Sequence, residues 1–312
     1  MSEQARRRVV LVTRKTRLRD LIERHNTLAQ ARFYVEHLQA DFADYVLEDE
    51  RYARAHAQAM QALAAWGRYQ VVERALLPNF VFSASDIVVA LGQDGLVANT
   101  LKYLDKGQPL VGLNPDTARW DGVLLPFEAP QLADVLRRTD QGSAAVRSVT
   151  MAEARLSDGQ RLLAVNDFFV GPRSHTSALY ELKLGGRSEL QSSSGVIVST
   201  GMGSTAWIKS VVTGSVAVAD ALGHRQPCAF EPLPWGAPEL LYAVREPFPS
   251  RHSQATLVFG RVSGHAPLTV RSRMADGGVI FSDGMEADFL RFGAGVEAVI
   301  APSAISGQLV VG

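Results

Sequence analysis

The 312-residue sequence contains one cysteine, Cys228, so neither an intramolecular disulfide nor a multi-cysteine metal site can form. A small buried apolar role suits Cys228 better than that of a catalytic thiol, and a reducing compartment, the cytoplasm, is expected. An excess of one charge is also missing. Lys and Arg total 32 against 32 Asp and Glu, which leaves no basic surplus for coating nucleic acid, and nucleic acid is not an expected partner. The apolar stretch beside the early arginines (Arg6, Arg7, Arg8, Arg14, Arg17) is only Val9-Val10-Leu11-Val12. It is far too short for a signal core or a membrane span, so no membrane association is expected. The histidines, His175 among them, show no metal-ligand spacing, and no resident metal site is expected. Internal repeats and low-complexity linkers are absent as well.

What is present is an ordinary globular composition, 46% hydrophobic and 21% charged, in a chain long enough for two domains. The first part alternates strand and helix patterns. Arg8 to Val12 is a continuous apolar strand candidate, and helical spacing runs through Leu18 to Leu38 and Leu47 to Trp66, with Gly67 as a stop. Strands return at Tyr69 to Val72, Ile87 to Leu91 and Leu110 to Leu113, with a helix over Val97 to Leu104. Such alternation predicts βαβ units and a mostly parallel sheet.

From about Ala144 the period changes to short strands. A hairpin is expected around Ser157-Asp158-Gly159, between Ala152 to Leu156 and Arg161 to Val165. Further strands are expected at Leu179 to Leu184, Gly195 to Ser199, Leu240 to Val244, Ala255 to Phe259, Leu268 to Val270 and Val279 to Phe281, interrupted by one helix over roughly Ser204 to Leu222. The fold class is thus α/β plus all-β, a Rossmann-like domain over residues 1–135 and a β-rich, sandwich-like domain over residues 136–312, whose last segment can return to the first domain.

Three segments can carry chemistry. Gly92-Gln93-Asp94-Gly95 closes the buried strand Ile87 to Leu91 and opens a helix. Ligands bind at the carboxyl ends of strands in open α/β sheets, glycines let a phosphate chain approach, and the helix N-terminus favours it. The same pattern also makes a common turn. Asn166-Asp167 closes a second apolar strand and offers donors and acceptors to ribose hydroxyls, though such a pair is also a frequent strand-end turn. The third segment, Ser199-Thr200-Gly201-Met202-Gly203-Ser204-Thr205-Ala206-Trp207, presents hydroxyls and amides, with Trp207 placed to stack on a base. Its structural alternative is a helix start capped by Ser204.

Taken together and in this order, these segments resemble the NAD kinase family, especially its divergent branch that includes the mitochondrial-type enzymes. The Gly-Gly-Asp-Gly-Thr loop of that family is matched by Gly92, Asp94 and Gly95, and its Asn-Glu pair by Asn166 and, conservatively, Asp167. Its Ser-Thr-x-x-Gly-Ser-Thr-Ala-aromatic segment with Lys-Ser is matched by Ser199, Thr200, Gly203 to Trp207, Lys209 and Ser210. Ser193-Ser194-Gly195, Gly112 to Asp116 and Arg245-Glu246-Pro247-Phe248 resemble the divergent branch. The chain departs from the family at Gln93, in place of the second glycine, at Leu96, in place of the threonine, at Gly201-Met202, where many members have Pro-Thr, and at Ser194, where the common bacterial type has an Asp.

The resemblance implies transfer of the terminal phosphoryl group of ATP, with Mg²⁺, to the adenosine-ribose 2′-hydroxyl of NAD or NADH. It implies an ATP-binding first domain, an NAD-binding second domain and a homodimer. Asp94 would be catalytic, with Gly92, Asp94 and Gly95 binding nucleotide. Gly95, Asn166, Asp167, Thr205, Ala206, Trp207 and Ser210 would bind NAD. Lys15, Lys102 and Arg119 are candidates for phosphate neutralisation, each with a solvated surface charge as its alternative, and Asp283 falls where the family has an Asp-Gly near the site. Two rival readings remain: a kinase acting on a lipid or sugar alcohol, and a non-catalytic dinucleotide-binding protein.

Overall fold

The computed structural model describes residues 6–224 and 229–312, so Cys228 lies outside the described residues. The chain divides into two compact units, Met1–Arg147 with Gln308–Gly312, and Ser148–Gly307. Among the described residues no helix is long and apolar enough to cross a membrane.

The first unit contains β1 (Val9–Thr13), α1 (Arg17–His25), α2 (Leu28–His37), α3 (Phe42–Trp66), β2 (Tyr69–Glu73), β3 (Ile87–Leu91), α4 (Asp94–Leu101), β4 (Pro109–Leu113) and α5 (Leu132–Asp140). The four strands are parallel in the order β2-β1-β3-β4. Every residue of β3 is fully buried, which explains its unbroken apolar run: a parallel strand is covered on both faces. Tyr52, Ala55, Ala59 and Leu63 of α3 and Leu132, Val135 and Leu136 of α5 pack on one face against Val9, Leu11, Ile87 and Val89. Each large apolar side chain so buried contributes about 1.5–3 kcal/mol. This packing of α5 carries the first unit on to Arg147.

The helical span expected over Leu18 to Leu38 is two helices. Asn26 takes a left-handed φ of 66°, and the Thr27 hydroxyl caps the next helix by accepting from the Gln30 amide at 3.2 Å, so local polar chemistry overrides the helical period. α3 starts earlier than Leu47 because Asp41 caps it through the Ala43 amide at 2.9 Å. Gly67 ends it as expected, with φ 97° and its amide on the Leu63 carbonyl.

The second unit holds most of β5 (Val146–Leu156), then β6 (Arg161–Ala164), β7 (Asp167–Pro172), β8 (Ala178–Leu184), β9 (Arg187–Ser193), β10 (Val196–Ser199), α6 (Trp207–Ala221), β11 (Glu239–Val244), β12 (Phe259–Ser263), β13 (Leu268–Ser272), β14 (Gly278–Ser282), β15 (Met285–Arg291) and β16 (Glu297–Val310). β16 ends in the first unit, where Gln308 and Leu309 pair in parallel with β4. One antiparallel sheet has the order β12-β11-β10-β7-β14-β15, and β16, β13, β8 and β9 form a second layer with the β5–β6 hairpin. Phe168, Val170, Val198 and Ile280 from the first layer and Tyr180, Leu182, Val270 and Ile300 from the second share one core, which makes the unit a β-sandwich.

Ala255 to Phe259, expected as a strand, is largely loop; β12 begins only at Phe259. The Thr256 and Leu257 amides donate to the Glu189 carboxylate at 3.1 and 3.0 Å instead of to a ladder.

Candidate active site

In the first unit, strand order reverses between β1 and β3, and the segments that follow these two strands meet. Arg14 follows β1, and its amide donates to the Tyr52 hydroxyl at 3.0 Å. That hydroxyl donates in turn to the Leu91 carbonyl at the end of β3 at 3.3 Å, so Tyr52 ties the two strand ends together. Burial pushes the Tyr52 hydroxyl above its ordinary pKa, and it remains a neutral donor.

Gly92 and Gln93 turn the chain from β3 into α4, which begins at Asp94 rather than at Val97 because the Gln93 carbonyl accepts from the Leu96 and Val97 amides. Gln93 gives no side-chain cap, so the first amides of α4 keep their capacity for an anion. The half-buried Asp94 carboxylate is the acidic group of this first turn, and its Oδ1 accepts from the Leu124 amide at 2.8 Å. The Gly92 turn is close-packed: a Cβ there would lie 2.8 Å from Leu96 Cδ2, a contact that a shift of the leucine side chain would relieve.

Two of the three cations offered for phosphate binding are committed elsewhere. Lys15 pairs with Glu23 at 2.7 Å and Glu73 at 3.6 Å, and Arg119 pairs with Asp44 and, at 3.4 Å, Asp116. Lys102 is buried beside the Tyr103 ring and is not a solvated charge. Asn114 and Asp116 brace the loop after β4, through the Asn114 side-chain Nδ2, which donates to the Trp120 carbonyl at 3.0 Å, and the Arg51–Asp116 ion pair at 2.5 Å.

In the second unit, three segments remote in sequence converge. Asn166 and Asp167 lead into β7. The Asp283 carboxylate, on a left-handed turn residue (φ 54°), accepts from the amides of Val165 at 3.0 Å, Asn166 at 2.7 Å and Asp167 at 3.3 Å. Asp283 is therefore the clamp of the Asn-Asp turn, a role that its place in a hairpin did not reveal. The loop after β10 closes on the same turn: the Thr200 amide donates to the Asn166 carbonyl at 2.9 Å, and the Thr200 hydroxyl donates to Val165 and accepts from Gly203. A Cβ on Gly203 would stand 2.1 Å from the Asn166 carbonyl oxygen, so only glycine permits this approach.

Asp167 is 8% exposed. Burial, with the Asp283 charge adding to it, pushes its carboxyl up to about 7. Such a group exchanges its proton near neutrality, the kind of shift that marks functional carboxylates.

Ser204 is not a helix cap. Its hydroxyl donates to the Gly201 carbonyl at 2.7 Å and accepts from the Leu233 amide at 3.0 Å, and α6 starts at Trp207. Thr205, Ala206, Trp207 and Ser210 are all exposed at this end of α6. The Trp207 ring stacks on Phe169 at 5.9 Å, and the Arg245 guanidinium lies 5.6 Å from its centroid. Phe169 is the aromatic residue of this cluster that sequence reasoning passed over; its outward place in β7, beside the inward Phe168, was the available signal.

Among the described residues no three His, Cys, Asp or Glu side chains gather as a metal cage. A lone carboxylate such as Asp94 suits an Mg²⁺ ion that arrives on a nucleotide triphosphate, since Mg²⁺ takes phosphate oxygens, water and only one or two carboxylates.

No protein-family model and no curated protein matches the chain. Solved structures are similar in shape. Yeast NADH kinase, solved in complex with NADH, matches 99% of this chain and 84% of its own at a TM-score of 0.60 and 14% identity. An NAD kinase from Archaeoglobus fulgidus, solved in complex with ATP, matches 97% of this chain and 93% of its own at a TM-score of 0.55 and 17% identity. What the chain shares with these kinases at such identities is the fold, an α/β unit joined to a β-rich unit, carried over nearly its whole length.

Proposed function

We propose that this protein is an NAD kinase-type phosphotransferase that moves the terminal phosphoryl group of ATP to the 2′-hydroxyl of the adenosine ribose of NAD or NADH. The observation that carries the reading is the second-unit cluster. Asn166, Asp167 and the start of the Ser199 to Ser210 segment, matched to the family as separate pieces of sequence, are held together by Asp283, Thr200 and Gly203, which supports a shared NAD site. The shared fold with an NADH kinase and an NAD kinase supports it.

Asp94 is the catalytic base of the reading. It orients the 2′-hydroxyl and takes its proton as that oxygen bonds to the terminal phosphorus and the bond to the ADP oxygen breaks. Phosphoryl transfer asks mainly for positioning and charge neutralisation, and Gly92, Gly95 and the first amides of α4 serve the phosphates. Mg²⁺ carried by ATP would add neutralisation of phosphate charge, with Asp94 the carboxylate at hand to hold it. Asn166 and Asp167 hold the ribose hydroxyls, while Thr205, Ala206, Trp207 and Ser210 line the adenine side. The first unit is the ATP domain, the second the NAD domain, and the assembly is a cytoplasmic homodimer of the divergent branch.

The test is incubation of purified protein with NAD or NADH, ATP and Mg²⁺, with enzymatic detection of NADP or NADPH. Product that depends on Asp94 is expected. Phosphorylation of a lipid or sugar alcohol, with no NADP(H) formed, would refute the reading in favour of the related kinases.

A further inference from the structure

We propose that Arg14 is the phosphate-gripping residue of this protein, its Nε–H donating to a phosphoryl oxygen at the Gly92 to Gly95 loop in place of the hydroxyl that Leu96 lacks. The inference rests on the kinase reading above and adds to it a residue outside the resemblance.

Three observations converge on Arg14. The first is its position. Val12 of β1 pairs with Ala90 of β3, so Arg14 and Gly92, each two residues further on, leave the sheet side by side. They do so where the order β2-β1-β3-β4 reverses direction, the crevice in which open α/β sheets take ligands.

The second is an unpaired donor. The Arg14 side chain is 9% exposed. Its Nη1 donates to the Lys15 carbonyl at 3.0 Å and its Nη2 to Glu48 at 2.9 Å, yet Nε is buried without a hydrogen-bond partner. An unpaired donor on a charged group is costly to bury, and an oxygen of a bound phosphate would supply the missing acceptor.

The third is aim. Arg14 Cδ and Nε lie 3.4 and 3.5 Å from the point where a Cβ on Gly92 would stand, so this part of the side chain packs against the turn that opens α4. That helix has eight residues and no side-chain cap, so its first amides and Nε present donors to the same turn. Leu96 Cδ2 is 2.8 Å from the same point, so the leucine side chain fills the space beside the turn that the Arg14 side chain also borders. Leu96 brings no hydrogen-bonding atom of its own, whereas the family's threonine would.

Neighbouring groups hold the guanidinium in this pose. Buried Glu48 fixes Nη2 and also takes Arg17, and Tyr52 fixes the Arg14 backbone. Glu48 and Tyr52 are thus positioning residues, and a phosphoryl oxygen would complete the guanidinium's third direction.

Calorimetric titration of the full-length protein with ATP, inorganic tripolyphosphate, adenosine and NAD tests the assignment. Arg14→Met is expected to weaken ATP and tripolyphosphate alike by about tenfold or more, the worth of one charge-assisted hydrogen bond, and to leave adenosine and NAD unchanged. Leu96→Ala, which clears the leucine side chain from beside the Gly92 turn and adds no donor, is expected to tighten tripolyphosphate several-fold, and it keeps the test open where Arg14→Met fails to fold. A folded Arg14→Met protein that binds tripolyphosphate like the wild type would overturn the inference, as would a Leu96→Ala protein with unchanged or weaker binding. Those results, alongside NADP(H) formation by the wild type, leave the kinase reading standing. A wild type that binds neither ATP nor tripolyphosphate overturns both.

Discussion

Replacing Asp167 with Asn should stabilise the protein, and by an amount that depends on pH. The wild-type carboxyl is 8% exposed, and burial, then the neighbouring Asp283, raises it from 3.8 to about 7. Because the folded value lies above the unfolded one, the sign is fixed. Below about pH 4 both states are protonated and the group contributes nothing. Between about pH 4 and 7 the unfolded chain ionises first and stability falls as pH rises, and above about pH 7 the loss levels off.

Converted to free energy, the wild-type penalty is roughly 4 kcal/mol at pH 8 and about 2 kcal/mol at pH 5. Asp167→Asn removes the charge at nearly constant shape. Urea unfolding of wild type and variant at pH 8, 5 and 3.5, followed by tryptophan fluorescence, should therefore show the variant's relative stability falling by about 2–3 kcal/mol from pH 8 to pH 5 and further by pH 3.5. A difference in stability that does not change with pH would refute the buried-carboxyl account, whatever its size. Under the proposed function the wild-type KM for NAD should also fall as pH rises through 7, as the carboxylate becomes a better acceptor for ribose hydroxyls, and the variant should lose that dependence.

Asp94→Asn keeps an acceptor for the Leu124 amide and should fold normally while kcat drops about 10²–10⁴-fold; retention of the full rate in the NADP(H) assay would remove Asp94 as the base. Asp283→Ala strips the acceptor from the amides of Val165, Asn166 and Asp167 and should cost roughly 3–5 kcal/mol in urea unfolding, whereas Asp283→Asn, which still accepts and tolerates φ 54°, should cost less than half as much. Gly203→Ala drives a methyl group into the Asn166 carbonyl and should cost about 1–3 kcal/mol and lower NAD affinity at least several-fold, measured by titration.

The parallel strands β1, β3 and β4 were legible because burial on both faces writes them as plain apolar runs: Ile87–Leu91 stands where the sequence places it. β9 was not. Its inward positions are Glu189, Gln191 and Ser193, satisfied by Thr256, Leu257 and the Tyr180 hydroxyl, so polar residues occupy the positions where a period of two shows only when they are apolar. The helix break at Asn26 and the start of α3 at Asp41 turn on side-chain caps that a hydrophobic period does not register. In the candidate site, Asp94 and the Asn166-Asp167 pair stood out through their places at strand ends. The clamping role of Asp283 and the unpaired Nε of Arg14 are properties of tertiary contact, and nothing in local sequence announces them.

The Asp283 clamp also has a kinetic meaning. Its bonds join residues 116 to 118 positions apart, so the Asn-Asp turn gains its acceptor only after β14 has docked on β7, a closure over a long loop that orders late in folding. A chain that has already formed its hairpins and collapsed its sandwich core would still hold those amides loosely. Ligand-binding competence is thus expected to trail secondary structure during refolding, and the last step to native geometry would be the seating of one carboxylate.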